Sequence, residues 1–438
     1  MGSDSGKYVV FVDDGVISGS VSIMAGAAAT TADARAPLSR ADEIALRRAA
    51  LAGLAADILA PGEASVVRSA GNVASAMGAE MGVAMGADDG GGAMPDLEGK
   101  LLAGIGAIVL DEDETDIASL EGVIGLTVVR DVEIELAEPE AAEELAGEDF
   151  WHLGQIGADE DPDAGEGILV GVLDTGIDAD HHEFAGKTIH FMEFDSIGRQ
   201  ISDTPRDAGD HGTHVSSLVA GRQAGVARGV DLAVAAVLTN RNALGRMSGT
   251  LIQIINGLDW LITTAFRDEV VGVDIVNASL GGSGFNAYLQ PGVRNARRIG
   301  VPFIAAIGNA GRNGANRHGS PGNYPESLGV GACDRTDTVA DFSDWGVGPN
   351  PAGPAYPVPN LSAPGVGIWA ARPGGGFHAK NGTSMATPIV TGIAAQRMAA
   401  NPVLQGDPDA LFVALAGALA PVAPHALGNL GGAGRIVA

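Results

Sequence analysis

ILVGVL, residues 168–173, runs straight into Asp174-Thr175-Gly176. A short apolar, β-branched run that ends in an acidic residue and a glycine reads as a buried strand followed by a turn. Runs of the same kind follow at LAVAAVL (232–238), VDIVNASL (273–280), VPFIAAIG (301–308) and SLGVGAC (327–333). Helical patterns lie among them at 249–266 and 286–299. This alternation predicts an α/β fold: a doubly wound, mainly parallel sheet with helices on both faces. In such sheets ligands sit beyond the carboxyl ends of the strands. Asp174 follows the first strand, Ser279-Leu280-Gly281 end the third and Asn309 ends the fourth, so polar candidates fall where this fold class places its sites.

Before residue 150 the pattern differs. KYVVFV (7–12) reads as a strand, 41–58 as a helix, 103–110 as a strand, 111–121 as an acidic helix start and 125–136 as a strand. Together they predict a small α+β domain. A Gly/Ala/Met-rich stretch at about 60–96 reads as a flexible insertion within it. The acidic linker AEPEAAEELAGED fills 137–149, and the expected division is 1–145 and 146–438.

Hydrophobic residues make up 46% of the 438, enough for a large core. The net charge of −28 is unevenly spread: residues 1–149 hold 28 Asp/Glu against 8 Lys/Arg, and the remainder hold 26 against 18. That excess argues against a nucleic-acid partner. It suits a soluble surface, including one in high salt, or reflects compositional bias. The longest apolar stretch, Leu251 to Phe266, is broken by Gln253, Asn256 and Asp259, which fits an amphipathic helix and no membrane span. Cys333 is the single cysteine, so no internal disulfide can form; it reads as a small buried residue or a reactive thiol. MGSDSGKYVVFV lacks the basic-then-apolar start of a secretory leader. The sequence as it stands predicts a cytoplasmic protein, or a secreted one where Met-Gly-Ser replaces a leader.

Three short words carry the chemistry: LDTG (173–176), HGTH (211–214) and GTSMA (382–386). A serine hydroxyl is a weak nucleophile until an imidazole accepts its proton, and the imidazole needs a carboxylate to hold its tautomer. Ser384, His211 and Asp174 can fill these roles. Ser384 opens a helical pattern running to Ala400, and a helix N-terminus favours developing negative charge. His211 likewise opens HVSSLVAGR after Asp210, a possible N-cap. Asn309, in AAIGNAG, can donate its amide to an oxyanion beside the Ser384 backbone N–H. Other readings exist for each word. DTG also marks aspartic proteases, but those need a second such carboxylate and no second DTG is present. HGTH, with His181 and His182, could bind a metal, but no HExxH completes a set. Ser384 alone could be an N-cap and Asn309 alone a turn residue.

The chain resembles the subtilisin family of serine proteases over about residues 150–438, in GVLDTGID (171–178), DHGTHV (210–215), NASLGG (277–282), AAIGNAG (305–311) and NGTSMATPIVTG (381–392). The resemblance implies a seven-stranded parallel sheet and a serine endopeptidase acting on peptides or proteins through an acyl-enzyme. It implies a triad of Asp174, His211 and Ser384, an oxyanion hole at Asn309, and substrate backbone pairing at Ser279, Leu280 and Gly281. His214 matches a family histidine that is structural. More weakly, 7–13 and 103–136 are similar to the family's prosegment, which implies an intramolecular inhibitor and a self-processing zymogen, here expected as a monomer. Alignment near Gln155-Ile156 places the cut at Leu145–Ala146, with Leu136–Ala137 as a second candidate.

The chain also departs from the family. The strong calcium site common there is expected to be absent, because Glu183 takes one ligand place and RQAGVARG (222–229) offers no Asn or Asp. Weaker calcium sites elsewhere stay open, and no cofactor is expected. Ala306, Ile307, Gly308, Ala310, Gly319 and Ser320 should line the pocket for the residue before the cut, and their small, uncharged character favours large apolar side chains there. A catalytically silent binding protein on the same fold and a metal-dependent hydrolase are the competing functional classes.

Overall fold

Each of the apolar runs named above becomes a strand, because a sheet covered on both faces lets every side chain of a β-branched run be buried. The computed structural model describes residues 6–13, 16–17, 39–59, 100–113, 116–123, 125–136, 140–141, 149–158, 161–268, 270–349, 353–424 and 432–438. The glycine-rich insertion and the Leu145–Ala146 bond lie outside them. The chain divides into two compact units, one holding residues up to Val132 together with 262–271, the other 133–261 and 272–438.

The second unit is built on a ten-stranded sheet. Its middle is the expected set of seven parallel strands, in the spatial order Leu361–Pro364, Leu328–Cys333, Phe303–Ala306, Ile275–Ala278, Leu169–Asp174, Asp231–Ala236 and Ile189–Phe194. Short strands extend the edges: Arg435–Ile436 and Leu419–Ala420 on one side, and the antiparallel Gln200–Ser202 on the other. Val170 and Val172 point into one core with Val215, Leu218, Ile389 and Ile393 of two helices, His211–Ala220 and Thr383–Ala400. On the other face Gly171 lies against Leu261 and Val273. Burying each such Val or Leu contributes roughly 1.5–3 kcal/mol. Pairing sets Leu173 beside Ala278, and Ala278 beside Ala305, so the carboxyl ends of the central strands are level.

The first unit carries an antiparallel sheet in the order Leu101–Leu102, Ala107–Asp111, Lys7–Val12 and Leu126–Arg130. Leu51, Leu54 and Ala55 of the helix Arg40–Leu59 bury with Val10, Val12, Ile108 and Leu110. Three expectations shift in detail. The strand expected at 103–110 forms as two strands around a turn, and the helix expected at 111–121 contracts to Ile117–Leu120. The strand expected at 125–136 breaks after Arg130, and Glu133–Glu135 joins the second unit.

Candidate active site

Asp174 closes the central strand at the level carboxyl edge, and the His211 helix starts opposite it. The helix can approach because Gly212 has no side chain: a Cβ there would collide with the Gly176 carbonyl. His211 Nδ1 lies 2.8 and 2.9 Å from the two Asp174 carboxylate oxygens. Both residues are buried. Asp174 Oδ1 also accepts the Thr175 N–H at 2.7 Å, which fixes the carboxylate plane. His211 Nε2 is buried and has no hydrogen-bond partner among the described residues, which leaves it as the acceptor once Nδ1–H donates to Asp174.

The start of the His211 helix is held by a residue that the sequence motifs did not single out. Asp207 Oδ1 accepts from Thr175 Oγ1 at 2.6 Å and from Gly209 N at 3.0 Å. Its Oδ2 accepts from Thr213 N at 2.8 Å and Thr213 Oγ1 at 2.6 Å. Thr175 Oγ1 in turn accepts the Gly212 N–H at 2.9 Å. One carboxylate thus ties the loop after Asp174 to the first turn carrying His211. The expected N-cap at Asp210 is not made: its carboxylate bonds Lys380 Nζ at 2.6 Å instead of the helix N–H groups. Burial works against charge on Asp210, but Lys380, His378 and His211 outweigh it and hold the carboxyl below its usual range.

Ser384 is the second residue of the long helix Thr383–Ala400 and is buried. Its hydroxyl donates to the Ser279 carbonyl at 3.4 Å, and its own carbonyl accepts from Ser279 Oγ at 3.0 Å. Ser384 Oγ makes no hydrogen bond to His211 Nε2, and catalytic contacts are commonly long before substrate arrives. The Asn309 amide oxygen accepts from Thr383 N and Thr383 Oγ1, both at 2.9 Å, and this turns the amide nitrogen to the opposite side. Gly308 N donates to Thr383 Oγ1 at 3.2 Å. Gly308 has φ +114°, a conformation suited to glycine, and a Cβ there would strike the Asp344 carboxylate. Asp344 clamps this loop from beneath: its N–H donates to the Gly308 carbonyl at 3.0 Å, and its Oδ1 accepts the Ala310 N–H at 2.9 Å. Burial pushes the Asp344 carboxyl up to about 7.

The expected substrate-facing residues converge on the same edge. Ser279 and Leu280 are buried at the end of their strand. Gly281 passes so close to the Ser320 carbonyl that a side chain would not fit. Gly282–Ser283 pairs with Gly319–Ser320, and Gly319 N donates to the Ile307 carbonyl at 2.7 Å. Ala306 ends its strand beside them, so 279–283, 306–310 and 319–320 form one continuous wall.

Two described stretches, 133–136 and 140–141, pair with strands near these residues. Glu133–Glu135 pairs antiparallel with Met247–Thr250, and the Leu136 N–H donates to the Met247 carbonyl at 2.8 Å. Glu140–Ala141 pairs with Lys380 and Asn381, three residues before Ser384. Leu136, Gly209, Asp210, His211, Arg241, Met247 and Lys380 line a pocket of about 280 Å³ between these two contacts.

His214 and His181 each meet backbone carbonyls. His214 Nε2 lies 3.1 Å from the Ile368 carbonyl and 3.3 Å from that of His378, and burial with nearby Lys380 holds its pKa well below the ordinary value. His181 stacks on His182 and contacts the Gly376 carbonyl through Nε2 at 2.9 Å. Glu183 accepts from Gln223 N and Ala224 N at 3.0 and 2.9 Å. No group of three or more His, Cys, Asp or Glu side chains placed for a metal occurs among the described residues. Burial pushes the Cys333 thiol up to about 12, the behaviour of a packed and unreactive cysteine.

Comparison with known proteins adds an independent finding. A model of the subtilase family matches residues 165–411. The chain is 36% identical over 257 residues to the subtilisin-like serine protease Pen ch 13.0101 of Penicillium rubens, covering 58% of each protein. It is 35% identical over 240 residues to subtilisin-like protease 1 of Trichophyton tonsurans, covering 55% of this chain and 43% of that one. The chain therefore spans about half the length of these relatives. Among solved structures, a cold-adapted subtilisin-like serine proteinase superposes with a TM-score of 0.52 at 29% identity, covering 66% of this chain and 96% of that one.

Proposed function

This chain belongs to the subtilase family, and on that premise we propose that it is a serine endopeptidase made as a self-processing zymogen. In this reading His211 Nε2 takes the Ser384 hydroxyl proton as Oγ attacks the substrate carbonyl. Asp174 holds the Nδ1–H tautomer and stabilises the imidazolium. The Asn309 amide and the Ser384 backbone N–H receive the oxyanion, and each such donor lowers the barrier by roughly 3–4 kcal/mol. His211 then returns the proton to the leaving amine, and water releases the acyl group by the same route reversed. The observation that carries the reading is the buried Asp174–His211 pair, with Nε2 left unbonded, in a histidine that lines the same pocket as Leu136 of the extended 133–136 segment.

That segment is the chain's own. Residues up to 132 would act as prosegment, with 133–136 and 140–141 as the parts of its tail held at the cleft. The two paired stretches bracket residues 137–139, which favours a cut between Leu136 and Glu140. Leu136–Ala137 falls in that interval. We further propose that the strong calcium site of the family is absent, since Glu183 spends its oxygens on backbone N–H groups. Peptides and proteins are the proposed substrates. No helix among the described residues is long and apolar enough to cross a membrane.

A serine-directed fluorophosphonate tests the activity. Labelling at Ser384, with loss of caseinolytic activity in proportion, is the expected result. Chelator-sensitive activity without labelling would favour metal-dependent hydrolysis, and neither labelling nor hydrolysis after removal of residues 1–141 would favour a silent binding protein.

A further inference from the structure

The cleft-lining segment Glu133-Ile134-Glu135-Leu136 alternates acidic and apolar residues, and in a strand such neighbours point to opposite sides. Ile134 and Leu136 are the buried ones. The two glutamates turn the other way, and each meets a donor. Asn242 Nδ2 donates to Glu135 Oε1 at 2.7 Å, and Arg246 Nη1 lies 3.3 Å from Glu135 Oε2. Ser248 Oγ donates to Glu133 Oε1 at 2.8 Å.

These donors sit on one hairpin, Asn240–Arg241 paired with Met247–Thr250. The turn itself presets them. Asn242 Oδ1 accepts from Leu244 N at 2.9 Å and Arg246 N at 3.0 Å, and Asn242 N donates to the Arg246 carbonyl at 2.9 Å. With its oxygen committed to the turn, the Asn242 amide can offer only its nitrogen to an incoming chain. A lysine or arginine at the Glu135 position would meet the Asn242 N–H donor and the Arg246 guanidinium. An acidic enzyme repels acidic substrates at long range, so a local pair of donors is what lets it accept one.

We propose that Asn242 and Arg246 form a carboxylate-binding subsite, so that this protease selects extended peptides with a glutamate or aspartate directly before an apolar residue on the N-terminal side of the cut. The inference rests on the endopeptidase reading above. It adds to the apolar pocket a second, charge-based criterion on the opposite wall. Both partners of the Arg246–Glu135 pair are about half exposed, at 53% and 42%, so the pair acts on selectivity and not on the fold.

A charge swap in the full-length chain tests it with two readouts. One is the rate of self-cleavage. The other, in the Ser384→Ala background, is hydrogen exchange at the Leu136 amide, which reports docking of the segment without any chemistry. Glu135→Lys and Arg246→Glu should each slow cleavage about three- to ten-fold and speed exchange at Leu136. The double variant should recover both, and Glu135→Gln, which keeps an acceptor, should fall between wild type and Glu135→Lys. Single variants equal to wild type in both readouts, or a double variant no better than the singles, would overturn the subsite. A wild-type chain that never cleaves itself would count against self-processing, and the exchange readout would then decide the subsite alone.

Discussion

The floor of the cleft and its rim obey different physics. On the floor, Asp174, His211 and Ser384 are buried, and the groups around them have several partners each, so removing one strands others in low dielectric. On the rim, Asn242, Arg246, Asp210 and Lys380 meet water as well as each other, and their interactions are screened. The floor can therefore carry chemistry and large energies, while the rim can carry discrimination and small ones.

The largest effect should come from the floor. Ser384→Ala is expected to cut peptide hydrolysis by roughly 10⁴–10⁶-fold while leaving the unfolding midpoint within error. Asn309→Ala should lower kcat by about 10²–10³-fold with little change in KM, since the amide acts on the transition state. A comparable rise in KM would instead place Asn309 on ground-state binding and blur the contrast.

Asp207 lies between floor and rim, and it sharpens the comparison. Its carboxylate gathers donors from Thr175, Gly209 and Thr213. Asp207→Ala should destabilise the protein by about 1–3 kcal/mol in denaturant unfolding and lower kcat as well, because the His211 helix loses its tie to the Asp174 loop. An activity loss without a stability loss would contradict the positioning role.

The pH dependence of stability separates buried groups of opposite type. Burial holds His152 and His378 down at about 4, against an ordinary value of 6.5. Unfolding lets them take up protons, so their contribution is full above about pH 6.5 and is lost as pH falls toward 4. Asp344 runs the other way. Its carboxyl is raised by burial from 3.8 to about 7, so its contribution is full below 3.8 and is lost as pH rises to about 7. Asp344→Asn should therefore raise the melting temperature at pH 8 by on the order of a few °C, and by less at pH 4. An equal change at both values would show that burial of charge is not the cause.

Much of the floor was legible in the sequence, because close packing forces short words of fixed composition. Gly212 must be a glycine for strand end and helix start to touch, and Gly176 for the chain at Arg206 and Asp207 to pass beside it, and this makes LDTG and HGTH recognisable. The parallel strands with continuous apolar runs were legible for the same reason. Ile189–Phe194 was not, since His190 and Glu193 interrupt its pattern, nor was Leu361–Pro364, which is short and ends in proline. Asp207 and Asp344 escaped notice because an aspartate in a loop carries no periodicity; only the folded chain shows that its oxygens meet backbone N–H groups. The rim was the least legible. Asn242 matters through an amide oriented by its own turn, which no spacing in NALGRMSG reveals.

Intact mass of the purified chain over time, beside Ser384→Ala, tests the central claim most directly. The account predicts that the 44.0 kDa wild type shrinks to roughly 30 kDa, the share carried from about residue 137 onward, with a new N-terminus between 137 and 140, while Ser384→Ala stays whole. Wild type and Ser384→Ala cleaved alike, at the same bond and rate, would contradict it.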